Sequence, residues 1–552
     1  MSVRTAARIP GRTAGAGVAR KSAKEAARTT LVLVLHAHLP YVRHLEHARF
    51  LEEEWLFEAI AESYLPLTAL CQRLADERAP VSLTLSISPT LAAMLGDPTL
   101  QQRFVAYLDE RIELAGRELF RTVWMPEWHA LARWHEETFL ATRSFYVDRL
   151  RGDLLGAWRD LASAGIIEPI TSNATHAFLP YLVGPESLRR VQVEVAVAEH
   201  RRLFGSSPRG MWLAECGYVP GIDRLLREND IGYTVVEAHG LEHATPRPPR
   251  GMNAPILTPE GLLVLARDPA ASREIWSRGE GFPGHAEYRD FHHDAGWDLE
   301  LSYLEPYLHA GRRSPLGLKY HRVTGEAREK ELYRPAQGAA QARAHAREFL
   351  RRRACDTSPR FLTAPFDAEL FGHWWHEGPV FLETLLREST HSDAVSVSAA
   401  GTALAETRRA ACAQPSFSSW GEGGYGATWC APENDWMLAR VASVGLRVVA
   451  AATRMARTSS AERRSSSERA LAQAGRELLL AQASDWPFLV KAGTAADYAR
   501  ASIETHLAAC GSLCDQLDAG AIDPVALAAL EESRPIFPTL DGLSFADPTL
   551  AG

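Results

Sequence analysis

The sequence contains no apolar run of the roughly 18 to 20 residues that a membrane-spanning helix requires. Its most apolar short run, Leu31–Leu35, has the length of a buried strand. We therefore expect no membrane-spanning segment. The first thirty residues also lack the apolar stretch of a secretion signal, and seven Lys or Arg residues stand there among Ala, Gly and Thr. We expect residues 1–29 to form a disordered basic tail.

The chain has no excess of positive charge. Its formal net charge is −8, with 23% charged and 46% hydrophobic residues, which is typical of an ordinary globular protein. The charge offers no electrostatic attraction to nucleic acid and favours a neutral or weakly polar substrate. The length of 552 residues exceeds a single hydrophobic core, so we expect one large domain and at least one companion.

Cysteine is scarce and is not patterned. The seven cysteines are an odd number, and they form neither a C-x-x-C pair nor a zinc-binding spacing. This usage is typical of reduced thiols in a cytosol. We predict a cytoplasmic protein.

Short apolar runs alternate with longer amphipathic segments through the first 400 or so residues, which predicts an α/β barrel or a doubly wound sheet. The predicted strands are 31–35, 81–87, 166–171, 210–214, 233–237, 262–266 and 360–365. Several of them end in polar clusters, as expected of a barrel active site. After about residue 400 the hydrophobic period becomes helical. We predict a catalytic barrel at 30–400 and an all-α domain at 401–552.

Two carboxylates follow two of these strands. Glu215 stands between an apolar strand and a Gly-Tyr turn, and Asp367 stands between another strand and an aromatic-rich turn. Two acids at two strand ends can face each other across a barrel mouth. Glycoside cleavage needs such a pair, in which one carboxylate attacks the anomeric carbon and the other protonates the leaving oxygen.

Tryptophan is abundant near these acids. Trp420 and Trp429 lie in a Gly-rich, polar loop, Trp486 follows Asp485, and Trp276 lies shortly after an Arg-Asp-Pro segment. Sugar rings present apolar faces, so a carbohydrate groove needs flat aromatic rings beside hydrogen-bonding groups. These tryptophans favour a carbohydrate substrate.

The segment His36-Ala37-His38 leaves two interpretations open. Both rings can lie on one side of a strand end and hold a metal, with His176 or Asp367 as a third ligand. Alternatively, the histidines donate hydrogen bonds to sugar hydroxyls without a metal. Because the acids and tryptophans account for the chemistry by themselves, we predict no metal and no cofactor.

With these residues in view, the chain resembles glycoside hydrolase family 57, and within it the 1,4-α-glucan branching enzymes. The resemblance is carried by His36-Ala-His-Leu-Pro-Tyr41, Glu168-Pro-Ile-Thr-Ser-Asn-Ala-Thr-His176, Trp212-Leu-Ala-Glu-Cys-Gly-Tyr218, Pro365-Phe-Asp-Ala-Glu-Leu-Phe-Gly-His-Trp-Trp375 and Ser419-Trp-Gly-Glu-Gly-Gly-Tyr425. Smaller matches are Arg267-Asp268-Pro269 with Trp276, and Ser484-Asp485-Trp486-Pro487.

The resemblance implies a distorted (β/α)7 barrel with a helical insertion, closed by the helical C-terminal domain. It also implies a metal-free, retaining reaction with Glu215 as the nucleophile and Asp367 as the general acid/base. The positions that it places along the substrate groove are His36, His38, His176, Arg267, Trp276, Trp420, Trp429, Asp485 and Trp486. The implied substrates are α-glucans such as amylose, glycogen and maltooligosaccharides, and the implied role is branching in glycogen synthesis.

One segment departs from the branching enzymes that the chain resembles. Arg250 stands where they carry a tyrosine shortly before Ala254-Pro255-Ile256, and that tyrosine helps to hold the acceptor glucan against water. An α-amylase-type hydrolase is therefore the alternative. A non-catalytic glucan-binding protein is disfavoured because both acids are present, and a metal-dependent deacetylase is disfavoured by the matches outside His36-Ala37-His38.

Overall fold

The computed structural model describes residues 28–277, 279–325, 330–354, 360–407, 409–458 and 465–547. Ten strands form one sheet: β1 Thr29–Ala37, β2 Leu83–Ile87, β3 Ile167–Ser172, β4 Gly210–Trp212, β5 Tyr233–Val236, β6 Ile256–Leu257, β7 Leu263–Ala266, β8 Phe361–Asp367, β9 Val395–Ser398 and β10 Ala411–Cys412. The seven predicted strands are all present, with ends that differ by at most two residues. The predicted basic tail lies outside the described residues, except for Arg28 and Thr29.

Seven parallel strands curl into the barrel. Their order is β7-β5-β4-β3-β2-β1-β8, and the two edges meet where Arg267 and Thr363 form a parallel bridge. The backbone N–H of Asp268 donates to the carbonyl of Thr363 at 2.8 Å. Because the closure rests on so few hydrogen bonds, the barrel is distorted. The predicted (β/α)7 barrel is confirmed, and β6, β9 and β10 are short additions to it.

Helices cover the barrel and form an insertion. Their bounds are α1 Glu53–Ala59, α2 Leu65–Asp76, α3 Pro89–Leu95, α4 Pro98–Arg121, α5 Pro126–Ser144, α6 Leu154–Ser163, α7 Ser187–Phe204, α8 Ile222–Glu228, α9 Ala238–Glu242, α10 Pro269–Trp276, α11 Ala295–Asp298, α12 Leu301–Leu304, α13 Pro335–Arg353, α14 Gly378–Thr390 and α15 Ala400–Ala405. Asp97 caps α4 by accepting hydrogen bonds from two backbone N–H groups, and Pro98 takes the first helical position. Helices α4 and α5 pack against the segment of α11 and α12 through apolar residues such as Leu114, Leu131 and Leu304.

In the described C-terminal residues there are five further helices: α16 Asp435–Arg457, α17 Ser465–Ala481, α18 Asp485–Ala492, α19 Ala496–Ala519 and α20 Pro524–Ser533. Within the described residues, the helical segment Pro432–Arg457 is long and apolar enough to cross a membrane by length and composition, with a mean hydropathy of 1.3. Arg440, Arg447 and Arg454 interrupt its apolar pattern, so the segment contains no uninterrupted apolar run of that length. One face of this helix is buried against the protein, with Val448, Val449 and Ala452 inaccessible to solvent.

Candidate active site

A cavity of about 490 Å³ opens at the carboxyl ends of the barrel strands. It is lined by His36, His38, Leu39, Pro40, His176, Glu215, Arg267, Trp276, Asp367, Glu369, Trp374, Trp420, Gly421, Thr428, Trp429, Asp485 and Phe488. The structure therefore brings together both predicted acids and eight of the nine predicted groove residues. Trp486 is the exception.

Glu215 follows β4 in a constrained backbone conformation. Its φ is 63°, and that of the next residue, Cys216, is 52°, a left-handed conformation that costs energy for a residue other than glycine. The indole N–H of Trp420 donates to Glu215 Oε2 at 2.5 Å, and the hydroxyl of Ser484 donates to Glu215 Oε1 at 2.8 Å. Because both oxygens accept a hydrogen bond, the site is built for an ionised carboxylate.

Asp367 ends β8 and pairs in register with His36 of β1. Burial raises its pKa to about 6, against the opposing charges of Arg267 and His38. Among the described residues, no donor forms a hydrogen bond with the Asp367 carboxyl group. The surroundings of Asp367 therefore favour the protonated form more than a hydrogen-bonded site would.

The two acids differ in the interactions that oppose the effect of burial on their pKa. Burial also raises the pKa of Glu215, to about 8, although the hydrogen bonds from Trp420 and Ser484 lower it. Taken alone, these two values would ionise Asp367 before Glu215, whereas a nucleophile and a general acid require the reverse order. We assign the ionised state to Glu215 from its two donors, because an indole N–H can only donate and Asp367 has no comparable partner.

Three histidines lie side by side on the floor of the cavity. The rings of His38 and His176 stack with centroids 3.8 Å apart and planes 19° from parallel, and His38 Nε2 lies 3.2 Å from the carboxylate of Asp485. Potential ligand atoms of His38, His176 and Asp485 lie within 4.8 Å of one another. However, nitrogen lone pairs lie in the ring planes, and in stacked rings they run parallel rather than converging on one point. This arrangement does not fit tetrahedral metal binding.

Arg267 and the tryptophans form the walls. The guanidinium group of Arg267 donates to Glu237 at 2.8 Å and lies over the ring of Trp420 at 5.4 Å from its centroid. Trp429 is buried and stacks on Phe178, while Trp276 is 40% exposed at the mouth. The walls thus combine flat apolar faces with hydrogen-bonding groups, as a sugar ligand requires.

Trp486 was predicted to line the substrate groove, but it is not among the residues that line the cavity. Its ring is 1% exposed and packs among apolar residues such as Met437 and Ile503. Its indole N–H donates to the backbone carbonyl of Leu480 at 2.8 Å. Adjacent helical residues point about 100° apart, so in α18 the direction that takes Asp485 into the cavity takes Trp486 into the helical core.

Several lining residues were not predicted, although they stand inside the quoted motifs. Glu369 lies two residues after Asp367 and accepts hydrogen bonds from the hydroxyl of Tyr64 and the backbone N–H of His38 at 3.1 Å. Trp374 and Phe488 are 51% and 46% exposed at the mouth. The available signal was their place in the same aromatic segments as the predicted residues.

Comparison with known proteins gives the same picture over most of the chain. Residues 32–408 match the model described as glycosyl hydrolase family 57, and residues 447–545 match the C-terminal domain of 1,4-alpha-glucan branching enzyme. The 1,4-alpha-glucan branching enzyme of Thermococcus kodakarensis is 29% identical, covering 93% of this chain and 78% of that protein.

Two solved structures are similar over nearly their whole length. The alpha-amylase AmyC from Thermotoga maritima has a TM-score of 0.86 and 35% identity, covering 94% of this chain and 99% of that one. A branching enzyme from Pyrococcus horikoshii has a TM-score of 0.82 and 29% identity, covering 94% of this chain and 97% of that one. The relatives with this architecture thus include both a hydrolase and branching enzymes.

Proposed function

Because the chain belongs to glycosyl hydrolase family 57, we propose that it is a retaining 1,4-α-glucan branching enzyme that cleaves an α-1,4 link and transfers the chain to a 6-hydroxyl. The observation that carries this proposal is the placement of two half-buried carboxyl groups, Glu215 and Asp367, in one tryptophan-lined cavity. The hydrogen-bond donors differ between the two acids, which suits one ionised and one protonated carboxyl group.

In the first step the carboxylate of Glu215 attacks the anomeric carbon, while Asp367 transfers its proton to the leaving glycosidic oxygen. A glycosyl ester forms on Glu215 and the glycosidic bond breaks. In the second step the ionised Asp367 takes the proton of an acceptor hydroxyl, whose oxygen displaces Glu215 from the anomeric carbon. Both steps invert that carbon, so the configuration is retained overall.

The mouth of the cavity supports a polymeric substrate. Trp276, Trp374 and Phe488 are each at least 40% exposed and line the opening. Their rings offer flat surfaces to the apolar faces of sugar units beyond the cleaved bond. The substrate class that we propose is therefore an α-glucan chain, as in amylose or glycogen.

Hydrolysis is the second candidate, because of Arg250 and the 35% identity to an alpha-amylase. Arg250 is exposed and is not one of the residues that line the cavity. Its loop is held in place: Thr245 and Gln414 exchange backbone hydrogen bonds of 2.9 and 2.8 Å. We propose that side chains of this loop, rather than its attachment, decide whether water or a glucan reaches the glycosyl ester.

The two candidates are separated by incubation with amylose, enzymatic debranching and chain-length analysis, with reducing ends measured in parallel. A branching enzyme produces new α-1,6 links in excess of new reducing ends. Reducing ends without α-1,6 links would establish hydrolysis instead. Glu215→Gln serves as the control, since it cannot form the glycosyl ester.

We further place the reaction in the cytoplasm, in glycogen synthesis. The cytoplasmic location rests on the seven unpatterned cysteines and on the free thiols of Cys71, Cys216, Cys412, Cys430, Cys510 and Cys514, and the role in glycogen synthesis rests on the matches to branching enzymes. Fractionation of the source cells with an assay of each fraction tests it, and activity outside the cytoplasmic fraction would contradict it.

A further inference from the structure

Four side chains connect in an unbroken line of hydrogen bonds that ends on Glu215. Ser86 Oγ lies 3.0 Å from His36 Nδ1, and His36 Nε2 lies 2.9 Å from His176 Nε2. His176 Nδ1 lies 2.9 Å from Ser484 Oγ, which in turn lies 2.8 Å from Glu215 Oε1. Every member before Glu215 is at most 4% exposed.

The fold places these groups from five parts of the chain. His36 and Ser86 are register partners on the adjacent strands β1 and β2. His176 follows β3 with a φ of 56°, and its carbonyl accepts from the backbone N–H of Ser484 at 3.1 Å. Ser484 directly precedes α18, so the C-terminal helices complete the line that the barrel strands begin.

The direction in which the hydrogen bonds are donated along the line follows from the charge state of Glu215. An ionised carboxylate can only accept, so Ser484 must give it its single proton. The Ser484 oxygen then accepts from His176, which carries its proton on Nδ1. The bare Nε2 of a neutral His176 accepts from His36 Nε2–H, and the bare Nδ1 of a neutral His36 accepts from the hydroxyl of Ser86.

Both histidines fit the neutral state that this arrangement requires. Burial is the largest cause that lowers the pKa of His36 and of His176 well below the ordinary value. In addition, their Nε2 atoms are 2.9 Å apart, so two N–H groups cannot face each other there. At least one of the two rings must be neutral, and neutral tautomers satisfy every atom of the line.

The same line can also run the other way. If Glu215 is protonated and donates to Ser484, then Ser484 donates to His176 Nδ1, His176 donates through Nε2 to His36, and His36 donates through Nδ1 to Ser86. No heavy atom has to move. Each direction belongs to one charge state of Glu215.

We propose that Ser86, His36, His176 and Ser484 form a relay that orients Glu215 and stabilises its ionised form, and that the tautomers of both histidines report the charge of Glu215. The four are positioning residues. This rests on the proposed role of Glu215 as nucleophile. It also changes the role of His36 and His176 from that implied by the family resemblance, since both nitrogens of each ring are already used within the protein.

The charges around the relay oppose the ionisation that it supports. Asp367 from β8 and Asp485 from α18 face Glu215 and raise its pKa. His38 faces both relay histidines and disfavours a positive charge on either. Arg267 opposes the rise in the pKa of Asp367. Stabilisation of the carboxylate therefore falls to Trp420 and to the relay.

The first test reads the tautomers of the unmodified protein with ¹⁵N-labelled histidine, assigned by the signals lost in His36→Gln and His176→Gln. The acidic limb of the profile of kcat/KM against pH is the range in which activity falls as Glu215 becomes protonated. At a pH above this limb, His36 should carry its proton on Nε2 and His176 on Nδ1. Below that limb both should switch. Tautomers that stay the same across the limb, or a His36 proton on Nδ1 above it, would overturn the relay.

The second test measures kcat/KM against pH. Without the Ser484 donor, the pKa of Glu215 rises, so in Ser484→Ala the acidic limb should move to higher pH by about one unit. Ser86→Ala, four hydrogen bonds away from Glu215, should move it the same way by about a few tenths of a unit. Ser484→Thr keeps the hydroxyl, so its acidic limb should lie at the pH found for the unmodified protein.

Ser418→Ala is the matched control, because the buried hydroxyl of Ser418 has no hydrogen-bond partner in the described part of the chain. The acidic limb of the kcat/KM profile of Ser418→Ala should lie at the same pH as in the unmodified protein. If Ser484→Ala and Ser86→Ala leave the limb unmoved while Glu215→Gln is inactive, the relay is refuted and the nucleophile stands. If Glu215→Gln remains active, the proposed nucleophile is itself wrong. Should Ser484→Ala fail to fold, the tautomers of the unmodified protein still decide the question.

Discussion

Trp420 binds Glu215 through both its backbone and its side chain. Its backbone N–H donates to the carbonyl of Glu215 at 2.8 Å, and its indole N–H donates to the carboxylate at 2.5 Å. The two residues are 205 positions apart in the chain. The Gly-rich loop therefore fixes the reacting carboxylate directly as well as lining the sugar site.

Trp420→Phe should move the acidic limb of the kcat/KM profile to higher pH. The substitution keeps an aromatic face but removes a donor to the ionised carboxylate, so the pKa of Glu215 rises and the enzyme loses its nucleophile at a higher pH. Hydrogen bonds to charged groups contribute about 1.5 to 3 kcal/mol, which corresponds to about one to two pH units.

Trp429→Phe is the matched control for this prediction. Trp429 lines the same cavity, but its indole nitrogen has no hydrogen-bond partner among the described residues. Its loss should change glucan affinity and leave the limb where it is. Equal shifts in both variants would show that the indole of Trp420 acts by packing alone.

Glu215→Gln should lower turnover by several orders of magnitude, because an amide cannot form the glycosyl ester. The fold should persist, since the amide oxygen can still accept one of the two hydrogen bonds. Turnover on amylose and the thermal midpoint are the two measurements. Activity near the wild-type level would contradict the assignment of the nucleophile.

Asp367→Ala should be partly rescued by an activated donor. A glucosyl donor with a good leaving group needs no proton in the first step, whereas a natural α-1,4 link does. We therefore expect a much larger loss of kcat on amylose than on the activated donor. Equal losses on both would assign Asp367 another role.

Chelation tests the geometry of the histidines. Because the rings of His38 and His176 stack, we expect prolonged treatment with EDTA to leave activity unchanged. A loss that zinc restores, with zinc retained in the protein at equal molar amount, would show that the rings rotate to bind metal.

The sequence predicted those features that depend on local pattern. The strands are short apolar runs, and Glu215 and Asp367 follow two of them directly, so their place at the barrel mouth follows from position alone. The contact of Ser484 with Glu215 spans 269 positions and depends on how the C-terminal helices dock on the barrel. No local pattern contains that information, and the inward direction of Trp486 was missed for the same reason.

Arg250→Tyr should raise transfer relative to hydrolysis. The loop that carries it is tied to the segments on both sides of Trp420, since Thr245 pairs with Gln414 and His239 Nε2 lies 2.8 Å from the carbonyl of Gly424. An aromatic ring on this loop can cover the glycosyl ester and exclude water, whereas a guanidinium group is charged and strongly attracts water. In the unmodified protein we therefore expect a high proportion of hydrolysis for a branching enzyme.

A tenfold change in the ratio of transfer to hydrolysis needs only about 1.4 kcal/mol, which one side chain can supply. The measurement is new α-1,6 links against new reducing ends, for the unmodified protein and for Arg250→Tyr. Arg247→Tyr is the matched control, since it introduces the same ring at another exposed arginine of the same loop. If the ratio rises equally in both variants, the ring acts without regard to position. If it rises in neither, this loop does not govern the choice between water and sugar, because a covering ring at residue 250 would have to change the access of water to the ester.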